Sequence, residues 1–166
     1  MTLIEGLLQE FEREAQTTRR VLERVPDDKL DWRPHPKART LGELAQHIAT
    51  SPAGVAELSA RSPAQAPRFA SEPSPANTSE LMSTLERSLE RTKAILGGMD
   101  DAAATQTWRL MNGDREILAL PQIAFLRSIM LNHWYHHRGQ LTVYLRELDV
   151  PIPSIYGPSA DENPFG

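Results

Sequence analysis

The sequence predicts an all-α protein, a four-helix bundle with a long crossover between its second and third helices. Three observations predict it. Four stretches repeat apolar residues at alternating spacings of four and three, the period of a helix that buries one stripe. Helix-start signatures stand where the later stretches begin. A proline-rich segment without helical period separates the second stretch from the third, and no convincing strand alternation occurs anywhere.

Residues 2 to 25 read as the first helix, with Ile4, Leu8, Phe11, Ala15, Thr18, Leu22 and Val25 on its buried side. Pro26-Asp27-Asp28 ends it, and the prolines around His35 make Leu30 to Thr40 a loop. Thr40 with Glu43 is a capping box, so a second helix opens there and buries Leu41, Leu44, Ile48, Val55 and Leu58. His47 borders that side, and Pro52 inside the pattern predicts a kink or an early stop. Residues 61 to 77 form the proline-rich linker. At about 3 Å per extended residue it can return along a ~30 Å helix, so the third helix need not run antiparallel to the second. Asn77 with Glu80 starts the third helix, which carries Leu81, Leu85, Leu89, Thr92, Ile95 and Met99 and ends at Gly97-Gly98. Residues 100 to 120 are less regular, and Asn112-Gly113 suggests a small hairpin-like turn. Pro121 suits the first position of a fourth helix running to about Leu148. The tail, 150 to 166, is rich in proline and glycine and is expected along the surface of a single domain, 1 to 166.

Composition removes several classes of function. A net charge of -4 argues against nucleic-acid binding, which calls for a basic stripe. The absence of cysteine excludes disulfides, thiolate metal sites and a cysteine nucleophile. The start, MTLIEGLLQEFERE, lacks the basic region of a secretory signal, and no apolar run approaches the ~20 residues of a membrane span. A soluble cytoplasmic protein is the expectation.

The chemistry concentrates in Leu131 to Gln140, LNHWYHHRGQ. His133 and His137 lie one helical turn, about 6 Å, apart on one face, close enough to grip one ion. That face continues as Leu126, Met130, His133, His137, Gln140 and Tyr144, the stripe a bundle helix buries, and buried polar groups need partners. If helices two and four touch, His47 completes a three-nitrogen site with positions open for water or substrate. The expected ion is a divalent transition metal such as zinc, nickel, iron, copper or manganese. Hydrogen-bonded core histidines are the competing reading, since H-xxx-H spacing also arises by chance. Glu43 and Gln140 sit one turn from candidate ligands, either orienting them or serving as a helix cap and a surface amide. His35 and His136 read as bystanders, Tyr144 as a packing residue, and Trp32 and Trp108 as structural anchors. Tyr156 and Asp161 would line the mouth of the site if the tail folds over it. HExxH, Glu-xx-His pairs, a glycine-rich phosphate loop and G-x-S-x-G are all absent.

Taken together, LDWRPHPKARTLGELAQHI and LNHWYHHRGQLTVYLRELDVPIPSIYG resemble the DinB/YfiT-like family of metal-dependent four-helix-bundle proteins. The W-R-P element, the helix entry leading to His47, the HxxxH-R-G-Q-L run and the trailing P-x-x-Y-G match in order. The resemblance implies a crossover between helices two and three, His47, His133 and His137 as metal ligands with water completing the shell, and a homodimer. Relatives include transferases and isomerases that use low-molecular-weight thiols such as bacillithiol or mycothiol. It therefore implies a metal-dependent thiol S-transferase or related detoxifying enzyme, acting on a small-molecule thiol and an electrophile. The rival expectation is a non-catalytic dimeric bundle. No catalytic residue or thiol-binding motif is identified.

Overall fold

The computed structural model describes residues 1–67 and 72–166. Residues 68–71 of the linker reading lie outside the described residues. The protein is mostly helical. Its long helices are α1 (Leu3–Leu22), α2 (Leu41–Ser59) and α3 (Thr78–Gly97), with the short α4 (Asp101–Thr105) following. Further on, α5 (Gln122–Phe125), a π-helical turn (Leu126–Leu131) and α6 (Asn132–Glu147) follow one another without a break. Thr40 and Glu43 form the expected capping box, and Asn77 accepts the Glu80 amide.

Helices α2 and α3 run side by side in the same direction. Ser74 of the linker and Thr40 meet near the start of α2, and Thr78 at the start of α3 bonds to Asp27 and Val25. Further along, the Ala53 amide donates to Ser88 and Arg91 pairs with Glu57. The linker thus brings the chain back to the end where α2 began, as its length permits. Gly42 permits this return, because a Cβ there would stand 2.5 Å from Ser74 Oγ and 3.2 Å from the Leu30 carbonyl. α1 packs on α3 and α6, and α2 packs on α3, α6 and the π-helical turn. The core between them is aliphatic, with Phe11 stacked on Trp134.

The all-α expectation is corrected by a three-stranded sheet. β1 (Ala64–Gln65) lies parallel to β2 (Thr107–Asn112), which pairs antiparallel with β3 (Arg115–Pro121). The hairpin turns one residue later than expected, at Gly113-Asp114, with Gly113 at φ +59° where a side chain is disfavoured. Trp108 of β2 is buried, stacks on Phe125 and donates its indole N–H to the Arg61 carbonyl, so it is the anchor the sequence suggested.

Of the kink or early stop expected at Pro52, the stop does not occur, and α2 continues to Ser59. Proline supplies no N–H to the Ile48 carbonyl four residues back. That carbonyl instead accepts the buried Trp134 indole N–H at 2.8 Å, tying α2 to α6. The buried stripe of the last helix also differs from the expected seam. The wider π-helical turn accommodates an extra residue. Burial therefore passes from Met130 to Leu131 and continues as Trp134, Arg138, Leu141 and Leu145. His133, His137 and Gln140 flank this stripe, half-buried, while Tyr144 stays inside it.

Arg138 is the charged residue of that stripe, 1% exposed. It pairs with Glu14 at 2.6 Å, donates to Thr18 Oγ1 and the Glu14 carbonyl, and meets the Tyr156 hydroxyl. The tail is fastened here and by the pairs Arg20–Glu162 and Arg146–Asp161. Among the described residues no helix is long and apolar enough to cross a membrane.

Candidate metal centre

Because α2 packs on α6, His47 meets the HxxxH pair across the helix interface. His133 Nε2 lies 3.0 Å from His137 Nε2 and 3.4 Å from His47 Nε2, with the rings nearly perpendicular. Two imidazoles bound to one ion at about 2.0–2.1 Å place their nitrogens about 3.0–3.4 Å apart at coordination angles from square to tetrahedral. The observed spacings match that requirement.

Their outer nitrogens explain the convergence. His137 Nδ1 lies 3.0 Å from Gln140 Oε1 and His47 Nδ1 lies 3.1 Å from Glu72 Oε1. Amide and carboxylate oxygens accept, so both rings carry their proton on Nδ1 and turn the Nε2 lone pair inward. A proton on His133 Nε2 answers one of these lone pairs and leaves the other, whereas a cation between the three answers all of them. His133 Nδ1 is buried and has no hydrogen-bond partner among the described residues.

Burial favours the neutral form of the HxxxH pair. Burial first, and then the neighbouring histidines, lower His133 to about 4. Burial likewise lowers His137, although its bond to Gln140 opposes the effect. Burial alone would raise the Glu72 carboxyl, but hydrogen bonds from His47 and Thr50 outweigh it and hold the group below the usual carboxylate range. Glu72 also accepts the Thr50 hydroxyl at 2.5 Å. Two imidazoles biased to the neutral form, near an ionised carboxylate, suit a divalent cation.

The structure sorts the remaining sequence candidates. Gln140 is the orienting residue, whereas the Glu43 carboxylate accepts the Thr40 amide in its cap. His35 and His136 are exposed. Trp32 packs edge-on against Tyr144, whose hydroxyl donates to the Arg39 carbonyl. Tyr156 and Asp161 hold the tail against Arg138 and Arg146, and neither lines the cavity beside the histidines. Glu72 escaped the sequence reading because it stands in an aperiodic segment. Its only signal there is an acid between serine and prolines in a stretch long enough to run back past His47.

A mostly helical protein with three converging histidines is the class this architecture defines. The chain belongs to the DinB family, whose model matches residues 2–163. Among solved structures it resembles a DinB-like protein from Bacillus cereus, 24% identical, with a TM-score of 0.75 over 92% of this chain and 97% of that one. It also resembles the DinB-like protein YjoA from Bacillus subtilis, 21% identical, with a TM-score of 0.67 over 87% of this chain and 92% of that one. At these identities the likeness is one of fold. A curated relative, the uncharacterized protein YrdA of Bacillus subtilis, is 43% identical over 37 residues, a stretch spanning 22% of each protein.

Proposed function

We propose that this protein is a metalloenzyme in which a four-helix bundle presents His47, His133 and His137 to one divalent transition-metal ion, leaving coordination positions for substrate. The carrying observation is the convergence of three Nε2 atoms from two helices, two of them oriented by Glu72 and Gln140. The reaction we favour is transfer of a low-molecular-weight thiol to an electrophile. A bound divalent ion supplies the positive charge that keeps a thiol ionised near neutral pH. The chain's own residues orient and exclude. Glu72 and Gln140 hold the imidazoles in one tautomer, and the Trp134–Ile48 bond keeps the two helices in register. Apolar walls beside the site shield an electrophile from water. The thiolate sulfur then bonds to the electrophilic carbon, the leaving group departs with the bonding pair, and the thiol proton passes to solvent. We take the enzyme to be a cytoplasmic homodimer.

Elemental analysis of chelator-free protein beside His133→Ala, with thiol conjugation assayed in His137→Ala, tests this reading. One ion per chain, lost in the first variant, and thiol-dependent turnover abolished in the second are expected. No metal after addition of zinc, nickel, manganese or iron, or an undiminished rate in His137→Ala, would end it. The second reading is a non-catalytic helical protein, favoured by the hydrogen-bond distances His133 Nε2 makes to both other rings. It predicts that metal removal shifts the melting temperature without loss of any activity.

A further inference from the structure

A cavity of about 730 Å³ opens beside the histidines. One face of α2 forms its floor: His47, Thr50, Ser51, Gly54, Val55 and Leu58. Leu110 and Leu118 of the sheet, Phe125 of α5 and Ile129 of the π-helical turn form the opposite wall. The polar side chains lie towards the His47 end, where Gln46, Glu72 and His133 join the lining. From His47 to Leu58 the helix climbs roughly 16 Å, so the cavity as a whole is long enough for a polar head followed by a short chain or an aromatic body.

Gly54 is the informative residue. Glycine in a helix interior is a poor helix former, and here a Cβ would meet nothing within 4 Å. Among the described residues no neighbour demands its smallness, and Gly54 lines the cavity, so a side chain there would occupy it. The π-helical turn contributes likewise by leaving Ile129 41% exposed on the wall. At the polar end, Gln46 Oε1 is buried without a hydrogen-bond partner among the described residues; Arg39 Nη1 is likewise buried and unpartnered among them, although Arg39 does not line the cavity. The Arg39 charge also acts on His133, His137 and Glu72. The Arg39 charge felt at the site and the unused Gln46 acceptor beside three nitrogen ligands favour an anionic head that also carries an N–H or O–H.

We propose that this cavity binds a small amphipathic molecule, its apolar body between α2 and the sheet and its anionic, metal-binding head at the three histidines. The head's placement rests on the metalloenzyme reading, whereas the apolar body's placement does not. An apolar, mostly preformed pocket with a few convergent polar groups is the usual form of a small-molecule site.

The test uses two probes on the full chain. Straight-chain hydroxamic acids, from acetohydroxamic to octanohydroxamic acid, are titrated into zinc-loaded protein by calorimetry. Affinity should rise about fourfold per added methylene until the chain fills the cavity. Gly54→Leu should keep its zinc and its affinity for acetohydroxamic acid while losing the gain from longer chains. The second probe, N-phenyl-1-naphthylamine, is neutral and ligates no metal, so its fluorescence on metal-free protein reads the apolar part alone. Wild type should bind it and Gly54→Leu should not. Should zinc fail to bind, the metalloenzyme reading falls and the naphthylamine comparison still decides the cavity. A flat chain-length series on zinc-loaded protein would overturn the proposal, as would equal naphthylamine binding by wild type and a folded Gly54→Leu. The wild-type series stands by itself if that variant does not fold.

Discussion

Pro52 and Trp134 make a coupled pair whose energy can be measured. The proline leaves the Ile48 carbonyl without its helical donor, and the Trp134 indole replaces it at 2.8 Å in a fully buried setting. Trp134→Phe keeps a ring to stack on Phe11 but leaves that carbonyl orphaned, a loss of about 1–3 kcal/mol beyond the lost packing. In the wild-type background, Pro52→Ala adds a second donor to a carbonyl already satisfied. In the Trp134→Phe background, the same change supplies the only donor. The double-mutant cycle should therefore show a coupling of about 1–3 kcal/mol, with Pro52→Ala more favourable when Trp134 is absent. Urea denaturation of the four proteins with chelator present, at matched slopes, reads this without a contribution from bound metal. Additivity within about 0.5 kcal/mol would refute the idea that Trp134 replaces the helical bond.

Four further outcomes follow from named contacts. Glu72→Gln should weaken zinc binding about 10- to 100-fold while leaving the fold intact, since the carboxylate orients His47 from outside the ligand set; competition with a fluorescent chelator measures it. Gly42→Ala should push the Ser74 segment off α2 and disturb the Glu72–His47 bond, seen as a shifted His47 imidazole resonance by NMR; an unmoved resonance would contradict it. Arg138→Met should leave the partly buried Glu14 carboxylate with only the Tyr156 hydroxyl, at a loss of about 1–3 kcal/mol, and a melting temperature within a degree of wild type would show that the pair does not matter. Finally, a hydrogen bond from Arg146 lowers the Asp161 carboxyl, and one from Arg20 lowers that of Glu162. Lowered folded-state values mean that their contribution is present above the ordinary carboxylate range and is lost as pH falls through the lowered values. The tail should accordingly loosen below about pH 4, with the Ile152 amide, a donor to Asp161, losing hydrogen-exchange protection. Protection unchanged between about pH 5 and pH 3 would count against the clamp.

Local rules made much of this protein legible. The helices announce themselves through period and cap, because both depend on residues within a turn or two of one another. That His47, His133 and His137 come together was legible for the same reason, two by their spacing on one helix and one by its place bordering the buried side of another. The tertiary structure decided what depends on distant partners. β1 exists only because β2 lies beside it, and a two-residue strand in a proline-rich linker carries no pattern of its own. Burial of Arg138 instead of His137 follows from a register slip in the π-helical turn, which no regular period foretells. Glu72 reaches His47 through a returning linker, and the cavity exists because a sheet faces a glycine in α2. Sequence periodicity reports which side of a helix is apolar; which group stands opposite that side is decided only when the chain closes on itself.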